Sequence, residues 1–388
     1  MSITLLIFQN VADAPAAYPT AKLAIFVGMA KFYSEILFLQ NLDIRGFSAK
    51  FALNTTSHAS RRTAHPGRSS IFMDYTKRPL TLQEQVDKLR NRGLLIDDEQ
   101  LAKEYLSNIS YYRLRAYTYP FQDNANPAAD HKFWRDDIHF SDIIDLYRFD
   151  RRLRSVMFNA IEKIEVAVRT KIVQAYAETT GSSHWFSDRN LYKHQVKRDR
   201  DGNMTTAFDL LMKDIENEVK RSNEDFIKHY YSKYENPPMP PAWMTLEVLS
   251  LGTLSRLYQL LKKSHTKKRI AKEFGLNDDR VLANWLHAIA VWRNCCAHHS
   301  RVWNRRSIIS VQMPTNADNP FLDGSTIRTI RPNKIFAALC CIKYISNIIS
   351  PDSDIKRNIL SIIGDGGNLL NLHEMGFPRN WKTLDVWK

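Results

Sequence analysis

Only four cysteines occur in 388 residues, and they stand as two adjacent pairs, Cys295-Cys296 and Cys340-Cys341. Neighbours in sequence resist the geometry of a mutual disulfide, and there is no C-x-x-C. That argues against zinc and favours buried thiols in a reducing cytoplasm, with a bridge from one pair to the other as the alternative. No Gly-rich phosphate loop, nucleotide-binding fingerprint or metal-ligand spacing appears, so neither cofactor nor metal is expected. Also missing is any run of about 18 uninterrupted apolar residues that would span a bilayer. The longest candidate, Leu23 to Gln40, contains Lys31 and Glu35. Strand signals are scarce, and no internal repeat is visible.

Acid is in short supply as well. Against 55 Lys and Arg there are 41 Asp and Glu, a formal net charge of +14. Such an excess concentrates polyanions at the surface, and nucleic acid is the partner it points to. With 44% hydrophobic and 25% charged residues, the chain is globular and long enough for one large domain or two.

Residues 1–72 differ in character from the rest of the chain. They hold scattered apolar pieces, Ile3 to Phe8 and Leu23 to Leu39, then a Ser/Thr/Arg-rich stretch, Asn54 to Ser70, without helical or strand period. This reads as a poorly ordered extension. Ala12-Asp13-Ala14 has cleavage-like spacing, but no basic segment precedes the short apolar run, which argues against a secretory signal. Translation from Met73 is one hypothesis; finding the longer form in an intact-mass measurement of the natively expressed protein would refute it.

From Met73 to Lys388 the patterns are helical, and the chain reads as an all-α bundle around one core. Thr81 followed by Glu84 is a capping box, with Leu82, Val86 and Leu89 on the apolar face and Gly93 as the stop. Asp97 and Asp98 open a second helix, and an aromatic turn, Ser110 to Leu114, leads to Pro120. The longest element runs from about Ser141 to Thr179, where Leu153, Met157, Ile161, Ile164, Val168 and Ile172 make one buried stripe. Residues 182–204 read as a polar loop with a basic turn. Helices resume at about 205–234, break at Pro237-Pro238-Met239-Pro240-Pro241 and restart at Ala242. Further helices cover Val281 to His298 and Ile335 to Ile349.

Chemistry concentrates in Arg293-Asn294-Cys295-Cys296-Ala297-His298-His299. Arginine stabilises developing phosphorane charge with a planar fork, and histidine moves protons near neutral pH. Those are the minimum parts of a ribonuclease that needs no metal. At about 100° per residue, Arg293 and His298 lie roughly 140° apart around a helix. Both can border one cleft if the helix frays after Ala297, or if a second copy completes the site across a dimer axis. The bland alternative is that Arg293 pairs with an acid and His298 caps the helix. Beyond the motif, Arg301, Trp303, Arg305 and Arg306 supply the cations and aromatic that single-stranded nucleic acid needs.

The stretch from about Lys77 to the C-terminus resembles the Abi-like abortive-infection family, the AbiD and AbiF group of phage-defence proteins, whose core belongs to the HEPN ribonuclease superfamily. The likeness is carried by Leu80-Thr81-Leu82-Gln83-Glu84-Gln85, Ile109-Ser110-Tyr111-Tyr112-Arg113-Leu114, and Tyr147-Arg148-Phe149-Asp150-Arg151-Arg152-Leu153-Arg154. Ile161 to Arg169, Pro241 to Glu247, Leu251 to Ser255, the Arg293 motif and Met375-Gly376-Phe377-Pro378 complete it. The resemblance implies a HEPN-type bundle with additional helices, acting as a homodimeric, metal-independent endoribonuclease. In it His298 would activate a ribose 2′-hydroxyl, Arg293 would stabilise the pentacoordinate phosphate, Asn294 would orient groups and His299 would share proton transfer. The alternative is a catalytically quiet or restrained module that holds a structured noncoding RNA.

Three further sets remain. Glu162, Glu165 and Arg169 lie beside the long helix's stripe, either as structural ion pairs or as residues that order Arg293. Arg148, Arg151, Arg152 and Arg154 either bind RNA phosphates or form a solvated, internally paired face. Lys262, Lys263, Lys267, Lys268 and Arg269 form a more purely basic patch, read as part of an RNA track.

Overall fold

The computed structural model describes residues 76–199 and 201–388. The extension over residues 1–72 and the start at Met73 lie outside them. Thirteen α-helices and one two-stranded ribbon make up the regular structure among the described residues, so the chain is all-α as expected. None of these helices is long and apolar enough to cross a membrane.

Helix α1 (Leu82–Asn91) starts at the expected capping box. The Thr81 hydroxyl accepts from the Glu84 N–H, and the Glu84 carboxylate accepts from the Thr81 N–H at 2.8 Å. Asp98 caps α2 (Glu99–Ile109) by accepting from the Leu101 N–H. The stretch expected as an aromatic turn is instead the start of α3 (Tyr111–Thr118). Ser110, at φ +69°, ends one helix and caps the next through its hydroxyl.

Helix α4 (Phe140–Thr180) is about 60 Å long at 1.5 Å per residue. Its six-residue stripe from Leu153 to Ile172 is at most 1% exposed. Burying each such side chain stabilises the fold by about 1.5–3 kcal/mol. Gly181, in the left-handed region at φ +64°, ends the helix.

The stretch read as a polar loop contains a ribbon, β1 (Val196–Arg198) against antiparallel β2 (Met204–Thr206). Its turn is organised by Asp199, whose carboxylate accepts the Asn203 N–H at 2.8 Å, and by Gly202 at φ +87°. Asp and Gly in these roles let polar backbone pair with itself where no apolar alternation exists.

Then come α5 (Ala207–Arg221), α6 (Asp225–Lys233), α7 (Ala242–Thr245) after the prolines, α8 (Leu251–Leu260), α9 (His265–Glu273) and α10 (Asp279–Ala297). Helices α11 (Gly324–Thr329), α12 (Ile335–Ile349) and α13 (Ile355–Gly364) complete the order. Every residue of α12 from Ile335 to Ser346 is buried, as a helix apolar on all sides must be. It packs on α4 and α10, while α8 and α9 close on α10 from other directions. The four cysteines are free and buried in this core.

Candidate functional site

The end of α10 is shaped by its own backbone. The Ser300 N–H donates to the Cys295 carbonyl at 2.8 Å and the His299 N–H to the Cys296 carbonyl at 3.1 Å. This pair of bonds is a Schellman closure, whose left-handed position is usually glycine. Here it is His299, at φ +54°. The helix therefore stops at Ala297, and His298 and His299 stand exposed on the turn. Neither imidazole has a hydrogen-bond partner among the described residues. Cys295 and Cys296 point inward, and burial pushes the Cys296 thiol up to about 12 and Cys295 upward too. Neither is a ready nucleophile at neutral pH.

Arg293 lies on the last turns of α10, facing α4. Its guanidinium sits over the Phe158 ring, 5.7 Å from the centroid, and its Nε is 3.7 Å from Glu165 Oε2. That is an ion pair outside hydrogen-bond distance, so the guanidinium fork makes no hydrogen bond among the described residues. Glu165 in turn accepts from Arg169 at 3.1 Å, and Arg169 also donates to the Leu249 carbonyl at 3.2 Å. Glu165 thus joins the two readings offered by the sequence: it is a structural partner of Arg169 and also faces Arg293. Glu162 is exposed and stands outside this network.

The turn is fastened from three directions. Arg113 on α3 donates to the His299 carbonyl at 2.7 Å, and Arg154 on α4 reaches the Ser300 carbonyl at 3.4 Å. Asp150 on α4 accepts the Val302 and Trp303 N–H groups, the Tyr117 hydroxyl at 2.6 Å and the Arg154 guanidinium. Burial raises the Asp150 carboxyl against the pull of Arg154, Tyr117 and the two amides. Because all four partners donate, the arrangement suits the carboxylate. Sequence reasoning named Asp150 only within the stretch from Tyr147 to Arg154 and gave it no role of its own. A signal was present: Leu146, Asp150, Leu153 and Met157 follow the spacing of the apolar stripe, and Arg154 stands four residues on.

The structure redistributes the expected RNA-contacting residues. Trp303 is 1% exposed, stacked on Tyr117 and Phe121, and so offers no face to a base. Arg301 is turned inward over the Trp303 ring and donates to the Ala116 carbonyl. Both were expected at the surface because they come after the motif; the Asp150 anchor draws this segment into the core. Lys267 is likewise 2% exposed, its ammonium on the Leu261 carbonyl, which takes it out of any surface track. It shares the phase of Ile270, Ala271 and Phe274, the apolar side of α9. Arg269 is held by Glu178 at 2.9 Å. Lys262, Lys263 and Lys268 are exposed, as is Arg306, while Arg305 is half-buried. Arg148 is paired with Asp145 and Arg152 with Asp365, which favours the paired-face reading. Arg151 is exposed without a carboxylate partner among the described residues. The sequence reading also missed Tyr112, 82% exposed beside the Arg113 that holds His299.

Among the described residues, no group of three or more His, Cys, Asp or Glu side chains is arranged to hold a metal ion. A guanidinium fork without a hydrogen-bond partner and two exposed imidazoles on the adjoining turn can bind a phosphodiester and exchange protons with it. A family model described as Abi-like protein matches residues 104–304, more than half of the chain, from within α2 to just past this turn. Comparison with the curated proteins and with the solved structures found no match.

Proposed function

The chain belongs to the Abi-like protein family, and from that premise we propose that it is a metal-independent endoribonuclease of abortive infection, with a HEPN-type core, acting on RNA in the cytoplasm as a homodimer. The observation that carries the reading is an Arg293 fork without a hydrogen-bond partner on the last turns of α10, a few residues before the exposed His298 and His299 on the fastened turn. His298 takes the proton of a ribose 2′-hydroxyl, the 2′-oxygen bonds to phosphorus, and the bond from phosphorus to the 5′-oxygen breaks. His299 supplies the proton to the departing 5′-oxygen. Arg293 stabilises the charge on the pentacoordinate phosphate, and Asn294 orients the reacting groups. The products are a 2′,3′-cyclic phosphate and a 5′-hydroxyl. Phe158, under the Arg293 guanidinium, and Val166 are exposed on α4 and suit a symmetric contact that brings two motifs together. Tyr112 takes the base-stacking role that Trp303 cannot fill.

The second reading is a quiet or restrained module that holds a structured noncoding RNA. The exposed Lys262, Lys263, Lys268 and Arg306 favour it, since they suit phosphate contacts away from the turn. The test is incubation of the protein with total RNA in EDTA, with mapping of the cut ends, beside Arg293→Ala and His298→Ala. The expected result is cyclic-phosphate ends whose formation falls about 10²- to 10⁴-fold in either variant, with RNA affinity largely kept. Cutting that survives both substitutions would overturn the assignment. RNA that copurifies without being cut would support the second reading.

A further inference from the structure

At the other end of α10, about 21 Å along the helix from Arg293 to Asp279, a cavity of about 440 Å3 opens between the ribbon, α5, α8, α9 and α10. Its floor is unusual in charge. The Lys267 ammonium, almost wholly buried, donates to the Leu261 carbonyl at 2.9 Å and to the Gln259 carbonyl at 3.4 Å. Lys193 donates to the same Gln259 oxygen at 2.8 Å. Lys193 is fixed there because its own N–H donates to the Leu260 carbonyl at the end of α8. Two ammonium groups therefore share one carbonyl oxygen, and the nearest carboxylate oxygen to Lys267, on Asp279, is 3.8 Å away.

The other cations of the wall divide into used and unused. Arg256 is committed to Asp214 at 2.6 Å and Arg280 to Asp278 at 2.7 Å. Lys197, on β1, has no carboxylate partner among the described residues. Three ammonium groups thus face a cavity that contributes one carboxylate, in a place where burial and the Lys193 charge already push Lys267 down to about 8. An anion seated among them would supply the missing counter-charge and take up unused N–H donors. The remaining wall includes Leu210, Leu211, Leu260 and Ala283. The volume lies within the range of small-molecule sites and exceeds what a bare oxyanion fills.

We propose that this cavity binds a phosphate monoester carried on a nucleoside-sized body, with Lys193, Lys197 and Lys267 on the phosphate and the leucine wall against the base. The ligand is either a free nucleotide or the 5′-phosphorylated end of an RNA. The inference is independent of the catalytic reading of the Arg293 turn.

The test is calorimetric titration of the full chain with adenosine 5′-monophosphate, inorganic phosphate, and one hexaribonucleotide with a 5′-phosphate or a 5′-hydroxyl. One saturable site per chain is expected, weakened about ten- to hundredfold by Lys193→Ala and unchanged by Lys382→Ala, an exposed lysine outside the cavity wall. Lys197→Ala, on the exposed ribbon, is a second variant should Lys193→Ala unfold, as judged by thermal melting. Binding of adenosine monophosphate identifies a free nucleotide; binding of only the phosphorylated hexamer identifies an RNA end. Equal binding of both hexamers without binding of adenosine monophosphate, equal weakening by Lys382→Ala, or no binding of any phosphorylated probe would overturn the proposal. Inorganic phosphate binding as tightly as the nucleotide would overturn its nucleoside part.

Discussion

Asp150 and Glu165 stand on the same helix, about 22 Å apart along its axis at 1.5 Å per residue, and each meets an arginine four residues on. Asp150 is fully buried and accepts from four donors drawn from α3, α4 and the segment after α10. Glu165 keeps 14% of its side chain exposed and divides itself between Arg169 and the more open Arg293. The same ion-pair spacing thus serves two ends. Where every lone pair is taken, the carboxylate fixes the chain path; where one oxygen stays loosely engaged, it can set the direction of a cation that still faces outward.

The comparison is tested most severely at Asp150. Asp150→Ala leaves Arg154 and two amides without their acceptor, and urea unfolding should register a loss of about 3–5 kcal/mol. Should that variant not fold, Asp150→Asn, which keeps an acceptor oxygen but not the charge, should lose less. A stability equal to the parent's would remove Asp150 from its place as anchor.

Lys267 adds a buried charge of opposite sign. Its pKa is depressed from 10.5 to about 8 in the folded protein. Between those values the unfolded chain binds the extra proton, so this group's contribution favours folding increasingly as pH rises through the window. The full span is on the order of 3 kcal/mol. Unfolding measured at pH 7.5 and pH 10 should show that rise in the parent relative to Lys267→Met; parallel pH trends would contradict it.

Glu165→Gln should have the smaller effect on stability, about 2 kcal/mol, because Arg169 keeps the Leu249 carbonyl. Its mark should fall on cleavage, through the direction of Arg293. A fall in turnover with RNA affinity preserved would separate Glu165 from Asp150, whereas a loss of stability as large as that of Asp150→Ala would erase the distinction.

How much the sequence made legible depends on the range of the interactions. The stripe of α4, the capping box at Thr81 and Glu84, the buried α12 and the end of α10 are all set by residues within a few turns of one another. The turn that follows the helix is local for the same reason, since its Schellman bonds span only the six residues from Cys295 to Ser300. The burial of Trp303 and Arg301 depends on Asp150, about 150 residues earlier, and nothing in the local pattern of that segment reports it. Lys267 was misplaced because charge was given more weight than phase. A lysine in step with Ile270 and Phe274 is carried inward by their burial, and backbone carbonyls at the end of α8 are there to receive it.

The left-handed turn at His299 carries a consequence for engineering. Glycine would relieve the backbone there, and His299→Gly should raise stability by about 1 kcal/mol while removing an imidazole from the motif. A library screened for heat resistance alone would therefore tend to accept glycine at this position and lose whatever the imidazole does. Thermal hardening of this protein is better sought on the far faces of the bundle, with His299 held fixed.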